Sequence, residues 1–124
     1  MTARGIVWAG VQTDRFDEME RFFNAVLGVG PSVVEPGFRL WTLPSGDLVE
    51  LFAAGRHPDF GAGPVVGFAV ADLDTARRSV EAAGGQVVGG YGPNAEGYAS
   101  LHLQGPDGNV YELVHDPAHA ARAM

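Results

Sequence analysis

Two glutamates stand at matching places in a segment that the chain contains twice. Glu50 lies in the apolar run 48–52, and Glu112 lies in the similar run 110–114. A Gly-containing turn precedes each run, Pro-Ser-Gly-Asp in the first case and Pro-Asp-Gly-Asn in the second. Carboxylates held in one place can act as general acid and base, or can bind a divalent cation. The function of the chain therefore depends on what surrounds these two side chains.

His102 is the imidazole best placed to join the glutamates. It alternates with Leu101 and Leu103, so if the leucines pack against a helix, His102 points to the same side as Glu112. Such a pair could titrate near neutral pH and serve as acid and base. The alternative is that His102 only forms a hydrogen bond in the wall of a polar cavity. The other three histidines are expected to be solvated: His57, His115 and His119.

Aromatic side chains could line a pocket that stacks a flat ligand. The candidates for this wall are Trp8, Phe38, Phe52, Tyr91 and Tyr98. Four further aromatic residues are expected in the core: Phe16, Phe22, Phe23 and Phe68. We assign Trp8 to the pocket because it is expected on the same sheet face as Glu50. The assignment of Trp41 to pocket or core stays open, because the register of its strand is not fixed by the sequence. Burial of a carboxylate costs free energy unless a partner balances its charge. A ligand cation, Arg39 or bound water could be that partner for the glutamates.

Composition limits the function classes. The 124 residues predict a single domain with its own core, and a net charge of −7 does not favour binding to nucleic acid. Cysteine and lysine are absent, which excludes disulfides, thiolate metal sites and Schiff-base chemistry. No apolar run reaches the roughly 20 residues of a membrane span, and no secretory signal is evident. We therefore expect a cytoplasmic protein without a membrane partner.

The elements that position these residues repeat in the order β-α-β-β-β. In the first repeat, about 5–53, the predicted strands are 6–11, 32–35, 38–43 and 48–52, with a helix between the first two. Asp14 is the expected N-cap of that helix, and Gly28 is its expected end. Its apolar stripe comprises Phe16, Met19, Phe22, Phe23, Val26 and Leu27. A polar linker is expected at 54–63.

The second repeat, about 64–116, follows the same plan. Its predicted strands are 65–70, 86–88, 98–103 and 110–115, and a short tail follows at 117–124. Asp72 should cap its helix, and residues 89–97 form a long loop that looks mobile. In each repeat the helix buries one sheet face. Alternation then directs Glu50 and Glu112 away from the helices.

The chain resembles the vicinal-oxygen-chelate superfamily of glyoxalase I, bleomycin-resistance proteins and extradiol dioxygenases. Three stretches carry the likeness: the helix end 22–28 (Phe-Phe-Asn-Ala-Val-Leu-Gly), the strand-to-helix step 70–74 (Val-Ala-Asp-Leu-Asp), and the turn and strand 105–113 (Gly-Pro-Asp-Gly-Asn-Val-Tyr-Glu-Leu). The resemblance implies an α+β fold of two tandem βαβββ modules that form a cup-shaped mixed sheet. It also implies completion of the cup in a homodimer.

Metal-dependent members of this superfamily use one side chain from the first and one from the last strand of each module. Carried over to this chain, the resemblance places Trp8 and Val65 at the first-strand positions, and Glu50 and Glu112 at the last-strand positions. Neither Trp8 nor Val65 supplies an imidazole. We therefore expect no metal or other cofactor, except a divalent ion held weakly by the two glutamates.

The resemblance gives two main functional hypotheses and one minor one. The first is a metal-independent, bleomycin-resistance-like protein that sequesters a small cationic or aromatic molecule, with Val65 and His102 added to the aromatic and acidic lining. The second is a lyase, isomerase or cyclase that uses Glu112 and His102 for proton transfer, or a weakly bound divalent metal. The third is a structural or regulatory dimer without a ligand.

Overall fold

The computed structural model of the chain describes residues 2–61 and 63–118. Its elements, in chain order, are β1 (Ile6–Thr13), α1 (Phe16–Leu27), β2 (Val33–Glu35), β3 (Phe38–Thr42), β4 (Leu48–Ala53), β5 (Val65–Ala69), α2 (Leu73–Ala82), β6 (Gln86–Tyr91), β7 (Ala99–Gln104) and β8 (Val110–His115). Neither helix of this described part is long and apolar enough to cross a bilayer. Most of the predicted tail, including His119, lies outside the described residues.

The chain divides into two compact units, each of which contains one repeat. In the unit Trp8–Val65 the strand order is β2-β3-β4-β1, with β1 parallel to β4 and the other neighbours antiparallel. In the other unit, residues 66–118 with residues 2–7, the order is β5-β8-β7-β6, with β5 parallel to β8 and the others antiparallel. The same order and the same directions recur. The predicted α+β fold of two tandem βαβββ modules is thus confirmed.

The core of the first module lies between α1 and one face of β3 and β4. Trp41 is fully buried, its ring centroid lies 5.4 Å from that of Phe23, and its indole Nε1–H donates to Asn24 Oδ1 at 2.9 Å. Both partners belong to α1, so Trp41 faces the helix. Trp41 is opposite Val49 in the β3–β4 ladder, and Val49 therefore shares the helix side.

Helix α1 begins later than predicted. Strand β1 continues to Thr13, and Arg15 rather than Asp14 occupies the N-cap position, without a side-chain capping bond. The Thr13 hydroxyl instead accepts the backbone N–H of Arg15 at 3.0 Å. The prediction of Asp14 as N-cap is wrong because the longer strand shifts the first helical turn. The end at Gly28 is confirmed, with the left-handed φ of 70° that favours glycine there.

The apolar stripe of α1 is wider than the surface that its own sheet covers. Phe23 packs on Trp41, but Phe22 is 54% exposed and Val26 is 61% exposed. These two residues are one helical turn apart and share the uncovered flank. The assignment of Phe22 to the core is therefore wrong.

The core of the second module is a compact apolar cluster beneath α2. Its buried members and their partly buried neighbours are Val70, Ala76, Leu103, Leu113, Phe68, Leu73 and Val80. Asp72 caps α2 as predicted, because its Oδ1 accepts the backbone N–H groups of Asp74 at 2.9 Å and of Thr75 at 3.3 Å. The N-terminal segment adds to this unit, since Ala69 N–H donates to the carbonyl oxygen of Gly5 at 2.9 Å.

The long loop predicted at 89–97 is shorter in the structure. Strand β6 runs on to Tyr91, with a register shift against β7 between Val87 and Gly89. The remaining connection is closed by Asn94, whose Oδ1 accepts the N–H groups of Glu96 and Tyr98, both at 3.0 Å. The glycines at the start of this stretch favour a loop in the sequence, but in the structure they continue a strand past a bulge.

Candidate functional site

His102 and Glu112 form a buried pair on the second module. They lie directly opposite each other on the antiparallel strands β7 and β8. The residues that follow them, Leu103 and Leu113, belong to the core beneath α2, so alternation directs His102 and Glu112 to the opposite sheet face. We call this side the helix-free face. His102 Nε2 lies 3.3 Å from Glu112 Oε2, and the two residues are only 5% and 3% exposed.

Burial has the largest effect on the pKa of Glu112 in this pair. Loss of hydration raises the pKa of Glu112 above the ordinary value for glutamate, while the hydrogen bond and the charge of His102 act more weakly in the opposite direction. A carboxyl group with a raised pKa is a stronger base once it is ionised. An imidazole beside it offers a second site for the same proton. The pair therefore has the parts needed for acid–base chemistry.

The two strands that neighbour the pair, β5 and β6, each carry a glycine beside it. Gly67 on β5 is the partner of Glu112 in the parallel ladder, and Gly89 on β6 is the partner of His102. Across the four strands this row reads Gly67, Glu112, His102, Gly89. The two lateral neighbours thus contribute no side chain to this part of the helix-free face.

The equivalent row of the first module has a different composition. Glu50 is flanked by Gly10 on β1 and by Leu40 on β3. Because Val49 faces α1, alternation places Glu50 on the helix-free face of its own module, as the sequence predicts. The position that corresponds to His102 holds Leu40, so the ladder neighbour of Glu50 on β3 is an aliphatic side chain.

Trp8 covers the glycine beside Glu50. A Cβ atom built on Gly10 would lie 2.2 Å from the indole of Trp8, so the ring can lie across this position only because residue 10 is glycine. Trp8 is 4% exposed, and its ring centroid lies 5.9 Å from that of Phe60. Trp8 therefore shares a face with Glu50 but is packed within the module.

The other aromatic residues of the first module join the same cluster. Phe52 has ring contacts with Phe38 at 5.3 Å and with His57 at 4.3 Å, and His57 stacks on Phe60 at 4.6 Å. Gln12 fixes this segment, since its Oε1 accepts the His57 N–H at 2.6 Å and its Nε2 donates to the Phe60 carbonyl oxygen at 3.4 Å. The expectation that His57 is solvated is wrong, because its ring packs between aromatic side chains.

Phe60 is a residue of this cluster that the sequence prediction missed. It is 5% exposed, although it lies in the segment predicted as a polar linker. The only indication of its burial in the sequence is that it is a phenylalanine among polar residues, glycines and prolines. Residues 54–60 are consequently a strap over the helix-free face of the first module.

The remaining candidates of the second module lie along or beside the same sheet. Tyr91 at the end of β6 is 58% exposed, and its ring centroid lies 6.2 Å from that of Tyr98. Val65, at the start of β5, is buried at 3% exposure. The Nδ1 atom of His115 lies 3.3 Å from the carbonyl oxygen of Val70. His115 is half-buried and contacts the backbone of its own module, and nothing in this contact gives it a functional role.

Arg39 does not compensate the glutamates. Its guanidinium pairs with Glu20 of α1 and lies 5.1 Å from the ring centroid of Phe16. Its Nη1 also donates to the carbonyl oxygens of Glu35 at 2.7 Å and of Phe38 at 2.8 Å. These contacts place Arg39 on the helix side, so the suggestion that it balances Glu50 is wrong.

The described side chains do not supply the donor set that metal-dependent members of the resembled superfamily use. Among residues 2–61 and 63–118, no group of three or more His, Cys, Asp or Glu side chains is arranged to hold a metal ion. A catalytic transition-metal site needs about three protein ligands. The two first-strand positions carry Trp8 and Val65, whose side chains have no metal-binding atoms.

The chain matches one protein-family model and several solved structures. A family model described as the Glyoxalase/Bleomycin resistance protein/Dioxygenase superfamily matches residues 5–113. No curated protein matches the chain. A Mn(II)-bound glyoxalase from Novosphingobium aromaticivorans is 22% identical with a TM-score of 0.72, over 92% of this chain and 39% of that chain.

Two shorter proteins align over almost their full length. A glyoxalase/bleomycin resistance protein/dioxygenase superfamily member from Vibrio splendidus 12B01 is 23% identical with a TM-score of 0.65, over 93% of this chain and 100% of that chain. A methylmalonyl-CoA epimerase from Mycobacterium tuberculosis is 20% identical with a TM-score of 0.61, over 96% and 93%. At these identities the structures show a shared fold. The family model, which spans most of the chain, shows that the chain belongs to the glyoxalase/bleomycin resistance protein/dioxygenase superfamily.

Proposed function

We propose that this chain is an enzyme that moves a proton on a small molecule bound at the helix-free face of the second module. The observation that supports the proposal is the buried contact of 3.3 Å between His102 Nε2 and Glu112 Oε2. Glu112 is the base that removes the proton, and His102 is the partner that holds or relays it. This is the acid–base alternative among the sequence hypotheses, and it covers isomerases, lyases and cyclases.

The chemistry follows from the environment of the carboxylate. Ionised Glu112 accepts a proton from a carbon or oxygen acid of the substrate, and the electron pair of the broken bond remains on the substrate. His102 hydrogen-bonds the carboxyl group and lowers its pKa, which partly opposes the effect of burial. Return of the proton at the same or a neighbouring atom gives an isomer, whereas departure of a leaving group gives the product of a lyase.

Sequestration has weaker support. It requires aromatic faces that are free to stack on a ligand, but Trp8 and Phe52 are each 4% exposed and contact other aromatic rings. Solved proteins that share the fold include ones named as an epimerase and as a glyoxalase. The fold is therefore compatible with the enzyme proposal.

The proposal includes the remaining features that the family resemblance implies. We infer a homodimer, for which the exposed apolar side chains Phe22, Val26 and Val34 are candidate contacts. We also infer that Glu50 takes part in ligand binding, and we infer a cytoplasmic location. Size-exclusion chromatography with light scattering tests the dimer directly.

Proton exchange at carbon tests the central proposal directly, because it reports the first step whatever the final product. The protein is incubated in D₂O with a panel of small ketones, aldehydes, thioesters and 2-oxo acids, and deuterium uptake at carbon is followed by NMR. We expect catalysed exchange in at least one class of compound. Glu112→Gln should lower that rate by about 10²- to 10⁴-fold, the usual contribution of a general base.

The matched control is Glu81→Gln, an exposed residue of α2 that pairs with Arg77. This variant should retain the wild-type rate. If the wild type catalyses no exchange across the panel, yet cationic aromatic compounds raise its melting temperature and are recovered unchanged, sequestration replaces the enzyme proposal.

A further inference from the structure

Ser100 lies on the same face as the acid–base pair. It precedes His102 by two residues on β7 and is opposite Val114 on β8, just as His102 is opposite Glu112. Residues two apart on a strand point to the same side. Ser100 is only 4% exposed, so the helix-free face of the second module holds three buried polar side chains in a short stretch: Ser100, His102 and Glu112.

The hydroxyl group of Ser100 is available for a ligand. It forms no hydrogen bond with any described residue, whereas no fully buried polar side-chain atom of the described part lacks a partner. The hydroxyl must therefore keep a small opening to the face on which it lies. A buried serine with an unused donor is costly unless something else accepts its hydrogen bond.

The charges along these strands restrict what that acceptor is. Strands β5, β6, β7 and β8 contain no arginine or lysine. A carboxylate or phosphate beside the pair would meet the charge of Glu112, and these strands supply no permanent cation to balance it, since His102 already pairs with Glu112. An uncharged oxygen, such as that of a carbonyl group, meets no such repulsion.

The spacing also suits a carbonyl compound. The step from Ser100 to His102 along the strand is about 7 Å. A hydroxyl-to-carbonyl hydrogen bond spans about 2.7 Å, the carbonyl oxygen lies about 2.4 Å from the next carbon, and a base works within about 3 Å of the proton it removes. One C–C=O unit therefore bridges the hydroxyl and the pair.

We propose that Ser100 donates a hydrogen bond to the carbonyl oxygen of an uncharged substrate while the pair deprotonates the adjacent carbon. The C–H bond breaks, its proton moves to the Glu112 carboxylate, and its electron pair forms an enolate whose oxygen accepts the bond from Ser100. Return of the proton restores the carbonyl compound, so the step needs no oxidant or co-reactant. This assignment rests on the proposed function, and it names the substrate class and a binding residue.

Ser100→Ala and Ser100→Thr test the role of the hydroxyl in the D₂O exchange assay. Removal of one preorganised donor typically lowers kcat by about 10²- to 10³-fold, and we expect a loss of this size in Ser100→Ala. Ser100→Thr keeps the hydroxyl and should recover much of the rate. The pH profile of the residual activity in Ser100→Ala should match the wild type, because the acid–base pair is untouched.

The control is Ser79→Ala, an exposed residue of α2, which should leave the rate unchanged. If the wild type exchanges and Glu112→Gln does not, but Ser100→Ala keeps full activity, the role of Ser100 is wrong and the proposed function stands. A preference for 2-oxo acids over ketones and thioesters overturns the uncharged class. A shifted pH profile in Ser100→Ala shows a structural effect on the pair and also contradicts the assignment.

Discussion

Replacement of Glu112 by glutamine should make the free energy of unfolding less sensitive to rising pH. Burial raises the pKa of Glu112 above its ordinary value of 4.5. Between pH 4.5 and the pKa in the folded state, the unfolded chain has lost this proton while the folded chain still holds it. The folded state therefore binds more protons, and the contribution of Glu112 to the free energy of unfolding falls as pH rises.

The size of the effect follows from linkage. Below pH 4.5 both states hold the proton, so the contribution is fully present and the difference between wild type and Glu112→Gln is constant. Above that pH the wild type loses up to about 1.4 kcal/mol per pH unit relative to the variant. The loss ends once pH exceeds the pKa in the folded state. Since the Glu112 side chain is only 4% exposed, solvent screening removes little of this effect.

Urea unfolding between about pH 4 and pH 8 measures this difference. Trp8 and Trp41 are both buried in the folded chain, so their fluorescence reports unfolding. Glu18→Gln is the control, because the pKa of this exposed carboxyl group is lowered by Arg15 and its weak trend should have the opposite sign. A pH-independent difference for Glu112→Gln would refute the reasoning. So would a wild type that gains stability over the variant as pH rises, because that would mean the ion pair with His102 outweighs the cost of burial.

Three further predictions concern the elements around the candidate sites. Asp72→Ala removes the N-cap of α2 and should lower the free energy of unfolding by about 0.5–2 kcal/mol in urea titrations, with a correspondingly lower melting temperature. Gly10→Ala forces the indole of Trp8 aside, which should cost about 1–3 kcal/mol and shift the tryptophan emission to the red. Gln12→Ala removes the side-chain bonds that hold the strap, which should cost about 1–3 kcal/mol and speed hydrogen exchange at the His57 amide.

Local signals in the sequence predict much of the fold. The repeated order of elements, the cap at Asp72 and the end of α1 at Gly28 depend on short-range geometry, which neighbouring residues specify. The predicted start of α1 is wrong, because the length of a strand depends on the ladder partner that it meets. The predicted extent of β6 is wrong for the same reason, since glycine in a bulged strand resembles glycine in a loop.

In the candidate site, too, some features can be predicted from the sequence and others depend on tertiary contacts. Alternation along β7 and β8 predicts that His102 and Glu112 share a face. The ladder register decides that they are opposite each other, and burial decides the direction of the pKa shift of Glu112. Ser100 lies on the same alternating face, but nothing in the sequence shows that its hydroxyl is left unused.

The two modules and the face on which each glutamate lies can be predicted from residue order, because strand alternation and helix periodicity are local properties of the chain. Tertiary structure decided which carboxylate has an imidazole across the ladder, His102 for Glu112 and not Leu40 for Glu50. It also decided that Arg39 turns to α1 and that His57 packs into the aromatic cluster. Such choices depend on which residues from distant parts of the chain meet and on how completely they exclude water, and neither quantity can be obtained from residue spacing.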